Sequence, residues 1–155
     1  MKWIYGRQDW KTLERGLENC YLLTNGLGGF SSLTMTGAVA RNDHSVFMAC
    51  TKAPNHRVNM VHRIKEELGI GKTKYVLSTQ EFADGTKEDG YRYLTEFSFE
   101  TLPVWNYLIS GVEMEKEIAM AQGSNQIAVN YHLKNRGQKE AALCVTPFFQ
   151  FEPKG

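Results

Sequence analysis

Thr24-Asn25-Gly26-Leu27-Gly28-Gly29-Phe30 sets three glycines in four positions ahead of a run of small and apolar residues, Phe30 to Ala40. Glycine at this density marks backbone that turns tightly or is approached closely. The residues beyond it decide what kind of loop this is. Leu33, Met35, Gly37 and Val39 alternate with Ser32, Thr34, Thr36 and Ala38. That is a strand period, with threonines suited to one wet face. A dinucleotide fingerprint needs G-x-G-x-x-G between a strand and a helix. Here the last glycine position is Ser31, and the chain beyond it reads as β. Gly71-Lys72-Thr73 resembles the end of a phosphate loop, but Glu66 stands where the first glycine is required. Neither segment is read as a nucleotide site.

Outward from this loop, the same period dominates. Cys20 to Thr24, Ser45 to Thr51, Tyr75 to Phe82, Val104 to Ile109, Val112 to Ala121, Gln126 to Lys134 and Ala141 to Phe151 read as strands. In Tyr91 to Phe99, Tyr91, Tyr93, Thr95, Phe97 and Phe99 share one expected face. Asp84-Gly85, Asp89-Gly90, Ser110-Gly111 and Asn135-Arg136-Gly137-Gln138 mark turns. Pro103 suits the start of a strand. Asp9 is the expected N-cap of one short helix reaching Asn19, with Trp10, Leu13 and Leu17 on one face. Val58 to Ile70 is ambiguous: Val58, Val61, Ile64 and Leu68 have helical spacing. Strands at such short intervals predict an all-β antiparallel sandwich, a single domain over 1–155.

Composition narrows function. The 155 residues carry a formal charge of +1, which offers no electrostatic footprint for nucleic acid or an anionic membrane. No window reaches a membrane span, and the first residues lack a signal-peptide core. Cys20, Cys50 and Cys144 are odd in number and lie in apolar segments, as buried reduced thiols of a cytoplasmic protein would. The four histidines form no metal-binding spacing, so no metal or other cofactor is expected. Glu113, Glu115 and Glu117 line one face of a strand opposite Val112, Met114, Ile118 and Met120; the expectation is a solvated face paired with lysines. Glu66 and Glu67 are adjacent and point to opposite faces, so they cannot flank one glycosidic bond. Trp105 and Tyr107 share a strand face and are read either as core or as a sugar-stacking pair. Arg41 and His44, flanking Asn42 and Asp43, either bind sugar hydroxyls or fix a loop or domain contact.

Several of these segments together resemble one family. Leu22-Leu23-Thr24-Asn25-Gly26-Leu27-Gly28-Gly29-Phe30, then Gly37-Ala38 and Arg41 to His44, are similar to the N-terminal domain of the bacterial and archaeal type of glycogen debranching enzyme, the amylo-α-1,6-glucosidases. Tyr75-x-Leu77-Ser78-Thr79, Gly90-Tyr91-x-Tyr93-Leu94, Phe97, Pro103-x-Trp105-x-Tyr107, Gly111, Glu115-Lys116, Asn125, Tyr131-x-Leu133-x-Asn135 and Pro147 extend the likeness over roughly 20–150. The family's R-R-Y-H-G is Arg41-Asn42-Asp43-His44-Ser45 here, which removes a charge and an aromatic ring.

The resemblance implies a supersandwich-like β-domain preceding an α/α-toroid that carries the acidic catalytic residues. It pulls 58–70 towards strand. It also implies that this chain is a non-catalytic N-terminal part, with its own C-terminal catalytic domain as partner and an α-glucan as the polymer in play. Asn25, Gly26, Leu27, Gly28, Gly29, Arg41 and His44 are then expected at the domain interface or cleft rim. Two other outcomes stay open: a stand-alone glucan-binding module using Trp105 and Tyr107, and a purely structural assembly domain.

Overall fold

The computed structural model describes residues 1–153. The described residues run through thirteen strands. They are β1 Trp3–Gly6, β2 Leu23–Thr24, β3 Phe30–Ser32, β4 Ser45–Lys52, β5 His56–Ile70, β6 Thr73–Val76, β7 Thr79–Glu81, β8 Lys87–Asp89, β9 Leu94–Phe99, β10 Pro103–Ile109, β11 Val112–Met120, β12 Ile127–Asn135 and β13 Ala141–Pro153. One sheet has the order β1-β9-β10-β11-β12. The second has the order β13-β5-β4-β3-β2, with β6 also on β5. Pairing is antiparallel throughout both sheets. Their inner faces meet in one core, where Leu33, Met35, Val46, Leu68 and Ile70 from one side pack on Phe97, Trp105, Ile109, Val112, Met114 and Ile118 from the other. The all-β antiparallel sandwich expected from the alternation is the fold.

The helical spacing at Val58–Ile70 has a β explanation. This segment lies within one fifteen-residue strand, His56–Ile70. Phe148 pairs with Arg63 and the next residue, Phe149, pairs with Val61, so His62 is an extra residue on β5. A bulge changes which parity faces inward. Val61 and Ile64 therefore both pack against the core at a spacing of three, and Leu68 and Ile70 continue inward in step with Ile64. A strand interrupted by a bulge imitates a helix in one dimension. The same device acts on β9. Tyr107 pairs with Leu94 and Asn106 with Glu96, leaving Thr95 as the extra residue. Leu94 and Phe97 thus both reach the core, and the single face expected for Tyr91 to Phe99 is broken. Tyr91 itself lies in a 3-10 turn, Gly90–Arg92.

Four further expectations need correction. The N-terminal helix is only Leu13–Gly16, capped by the Thr12 hydroxyl, which accepts from Arg15 N–H. Asp9 instead accepts from Gly6 N–H beside a 3-10 turn, Arg7–Trp10. Ser32 to Val39 is not a strand beyond Ser32. Gly37 takes φ +83°, and Thr34 Oγ1 accepts from Ala38 N–H at 2.9 Å while facing Thr36 Oγ1 at 3.0 Å. Threonines that close a turn with their own hydroxyls compete with a ladder, and here both are buried rather than wet. Tyr75 to Phe82 divides into β6 and β7, and part of the polar loop after it pairs back as β8. Only Cys50 is buried; Cys20 and Cys144 are exposed.

The acidic face of β11 is also more mixed than expected. Glu113 pairs across the ladder with Lys134 but Glu115 opposes His132 and Glu117 opposes Asn130. On the inward face, Lys116 sits among Val112, Met114, Ile118 and Met120, and is 3% exposed. Its ammonium reaches across the sandwich to Glu66 of β5 at 2.7 Å.

Candidate functional site

Asn25 explains why the glycine loop has a fixed shape. Its side chain is fully buried. Oδ1 accepts from Leu27 N–H at 2.9 Å and from Gly29 N–H at 3.1 Å, the short polar turn that asparagine favours. Nδ2 donates to the Ser124 carbonyl and to Asn125 Oδ1, both at 3.2 Å. The Asn25 carbonyl accepts from Gly123 N–H at 2.8 Å, and Gln122 Nε2 donates to the Thr24 carbonyl at 2.7 Å. Residues 122–125 form the β11–β12 turn of the first sheet, whereas Asn25 lies between β2 and β3 of the second. One side chain thus joins the two sheets at this end of the sandwich. Asn125 Nδ2 adds a bond to the Cys50 carbonyl at 3.3 Å.

The glycines answer to this geometry individually. Gly26 and Gly28 have φ +81° and +92°, where a side chain is strained. Gly29 has no such angle, but a Cβ there would stand 2.7 Å from Asn25 Nδ2 and 2.9 Å from the Met48 carbonyl. Gly28 lies over Cys50, and its carbonyl accepts from Arg57 Nε at 2.8 Å.

Above this framework is a concavity of about 630 Å³. Gly26, Gly28 and Gly29 form one wall. Phe30, Leu22, Tyr21, Asp43 and Arg57 complete much of the rest. The Arg57 guanidinium lies over the Phe30 ring at 5.9 Å, a cation–aromatic contact that also orients the arginine. Leu22 is 60% exposed at this surface, and Leu27, at the loop tip, is also exposed.

The remaining candidates do not converge on it. Arg41 is exposed and His44 buried; they are the two ends of a turn in which His44 N–H donates to the Arg41 carbonyl at 3.0 Å. His44 Nδ1 accepts from Ala40 N–H at 3.0 Å. That fixes the neutral tautomer with the proton on Nε2. Nε2 has no hydrogen-bond partner among the described residues. Burial pushes the imidazole below its ordinary range, the Arg41 charge pushes the same way, and Asp43 opposes them. His44 therefore holds its loop rather than facing solvent, and Asp43 between the pair is the residue that enters the concavity.

Trp105 and Tyr107 are 0% and 3% exposed. Trp105 donates from Nε1 to the Met35 carbonyl at 3.0 Å and packs edge-on against Tyr21. Rings enclosed this way offer no face to a sugar, so the stacking platform placed on them is corrected to core. Phe30, Asp43 and Arg57 were not singled out by sequence. Phe30 ends the glycine motif and so had a local signal; Arg57 comes from β5, separated from β3 by β4, with none.

Beneath Trp105, Lys116 Nζ lies 5.0 Å from the ring centroid, and Tyr131 OH donates to Glu66 Oε2 at 2.5 Å. Burial and the neighbouring Glu66 carboxylate both push the Tyr131 and Tyr107 hydroxyls above their ordinary range. This carboxylate is sealed inside the sandwich and paired with Lys116. Among the described residues, no three His, Cys, Asp or Glu side chains gather as metal ligands. Among the described residues, no helix is long and apolar enough to cross a membrane.

No curated protein and no solved structure matches the chain. A family comparison does: residues 19–154 match the model described as glycogen debranching enzyme N terminal. That range starts just before the glycine loop and includes every strand of the sandwich except β1. The chain belongs to the family of glycogen debranching enzyme N-terminal domains.

Proposed function

We propose that the chain serves as the non-catalytic N-terminal domain of an amylo-α-1,6-glucosidase type of glycoside hydrolase. It packs on a catalytic α/α-toroid domain and shapes the cleft in which branch-point α-glucosyl linkages are hydrolysed. The observation that carries this reading is the rigid glycine loop. Asn25 ties it to both sheets, and it presents Leu27 and a partly apolar concavity at one end of the sandwich. A surface held by buried hydrogen bonds loses little entropy on docking.

The chemistry of the chain fits a supporting role. Hydrolysis of a glycosidic bond usually needs two carboxyl groups facing one another across the scissile bond. The buried Glu66 is neutralised by Lys116 instead. The three cysteines are unpaired, the state a cytoplasmic protein keeps, and the reading assigns the domain to the cytoplasm. The test is direct. Purified chain incubated with an α-1,6-branched malto-oligosaccharide is expected to release no glucose. Glucose release above the buffer blank would overturn the non-catalytic role.

A further inference from the structure

We propose that the chain self-associates through the free edge of β13, which pairs antiparallel with β13 of a second copy and joins their two sheets into one. The pairing does not depend on the debranching-domain reading.

β13 closes one side of its sheet. β5 pairs with one of its edges, and no strand among the described residues pairs with the other. The phase of its hydrogen bonds follows from one contact: Gly71 N–H donates to the Glu140 carbonyl at 2.9 Å, in step with the Ala141–Ile70 pair. Bonded and non-bonded pairs alternate in an antiparallel ladder. Ala142, Cys144 and Thr146 therefore bond to β5, while Ala141, Leu143, Val145 and Pro147 turn their main-chain groups to the free edge. Pro147, without an N–H, stands where the ladder to β5 loses nothing. The phase holds as far as the register shift at Phe148/Phe149. The side chains of this set have inward parity: Ala141 and Leu143 pack against the core. Val145, two residues on, is nevertheless 39% exposed. On the other sheet's edge strand, β12, Leu133 pairs with the buried Met114 yet is 44% exposed. The edge thus offers unpaired backbone and incompletely covered apolar side chains together.

Only extended backbone answers donors and acceptors that alternate along an edge, so the occupant is a strand. Charge selects which strand. No charged residue occurs from Ala141 to Phe151, whereas β12 carries His132 and Lys134. A two-fold contact brings each side chain near its own copy, so a charged edge repels itself and a neutral edge does not. The register that overlaps the whole of Ala141–Pro147 is centred on Cys144. Leu143 N–H then donates to the Val145 carbonyl of the second copy, Val145 N–H to its Leu143 carbonyl, and Ala141 N–H to its Pro147 carbonyl. The missing proline donor falls at the two ends of the overlap. The two Cys144 residues, exposed in the single chain, face each other as a non-bonded pair with Cα atoms about 4.5 Å apart, within the roughly 4.4–6.8 Å that a disulfide spans. The glycine loop meets the far end of β12, at Ser124 and Asn125, so this pairing leaves it free.

Sedimentation velocity tests the edge. Wild type is expected to pass from monomer to dimer as its concentration rises from micromolar to submillimolar. Val145→Pro deletes an N–H that β5 does not use and is expected to weaken the dimer about tenfold or more, with a wild-type circular dichroism spectrum. Cys144→Lys alters only an exposed side chain, sets like charges across the axis and is expected to weaken it about threefold or more. Copper phenanthroline, which oxidises paired thiols, is expected to link the Cys20→Ser variant into a covalent dimer with its disulfide at Cys144. A wild-type chain that stays monomeric throughout overturns the pairing. So does equal self-association of wild type and a folded Cys144→Lys variant, or a wild-type dimer that copper phenanthroline links through Cys20 and not through Cys144.

Discussion

Lys116 on β11 and Glu66 on β5 meet at 2.7 Å across the interior of the sandwich, both nearly inaccessible to water. Each belongs to a different sheet. The pair therefore reports on the sheet-to-sheet packing itself: any slip of β5 or β11 by one residue would turn its charge to the outer face. A buried ion pair contributes little net stability, because desolvating two charges offsets their attraction, yet leaving one charge alone is expensive.

Lys116→Met is accordingly expected to lower stability by about 3–5 kcal/mol. The triple variant Lys116→Met, Glu66→Leu, Tyr131→Phe removes all three polar ends together and is expected to recover most of that loss. Urea unfolding monitored by tryptophan fluorescence measures both. A triple variant no more stable than the single one would mean that the cluster does more than satisfy itself.

Asn25→Ala removes two acceptor contacts and two donor contacts at a fully buried position. Unpaired buried polar groups cost about 1–3 kcal/mol each before relaxation, so a loss of at least about 2 kcal/mol is expected. The loss should be accompanied by faster amide exchange at Leu27 and Gly29. Asn25→Asp keeps Oδ1 but places an oxygen against the Ser124 carbonyl and Asn125 Oδ1, and should be less stable than Asn25→Ala at neutral pH. Unchanged protection at Gly29 in the alanine variant would show that the loop does not depend on this side chain.

Glycine substitutions separate steric contact from backbone strain. A Cβ at Gly90 would overlap the Leu77 carbonyl, whose neighbour Ser78 accepts from Gly90 N–H. Gly90→Ala should prevent normal folding. Gly85 has φ +89° but open space around it, so Gly85→Ala should lose only about 1–2 kcal/mol. Comparable melting temperatures for the two would contradict the packing described at the β7–β8 hairpin.

His44 predicts an acid-side loss of stability. Its imidazole is lowered in the folded state from the ordinary value of 6.5, chiefly by burial, and Nδ1 must stay unprotonated to accept from Ala40. Above pH 6.5 both folded and unfolded states hold it neutral, and this stabilising difference is fully present. Below that, the unfolded chain takes up a proton first, so stability falls as the pH descends towards the folded value. His62 is shifted in the same direction, by burial and by Arg63, and adds to the slope. Between about pH 7.5 and about pH 5.5, the urea midpoint of His44→Gln should fall less than that of wild type. Equal slopes would place the titration elsewhere.

The sandwich was legible in sequence because period-2 alternation and turn residues recur along the chain. The glycine loop was legible as a special backbone, though not as a joint between sheets, since Asn25 and Asn125 meet only after folding. Phase was the harder quantity. The extra residues His62 and Thr95 reverse the inward parity in mid-strand, and composition carries no mark of them. The buried pair left a faint trace: Lys116 interrupts an apolar row on β11, and Glu66 lies in the row Ile64, Leu68, Ile70 on β5. Opposite charges on two inward faces point to one another. Trp105 and Tyr107 illustrate the converse, because an aromatic pair on one strand face reads alike whether the face is covered or open.

The non-catalytic role proposed for this sandwich is tested most directly by glucose release from an α-1,6-branched malto-oligosaccharide incubated with the purified chain. No release above the buffer blank is expected. Glucose release above that blank would contradict it.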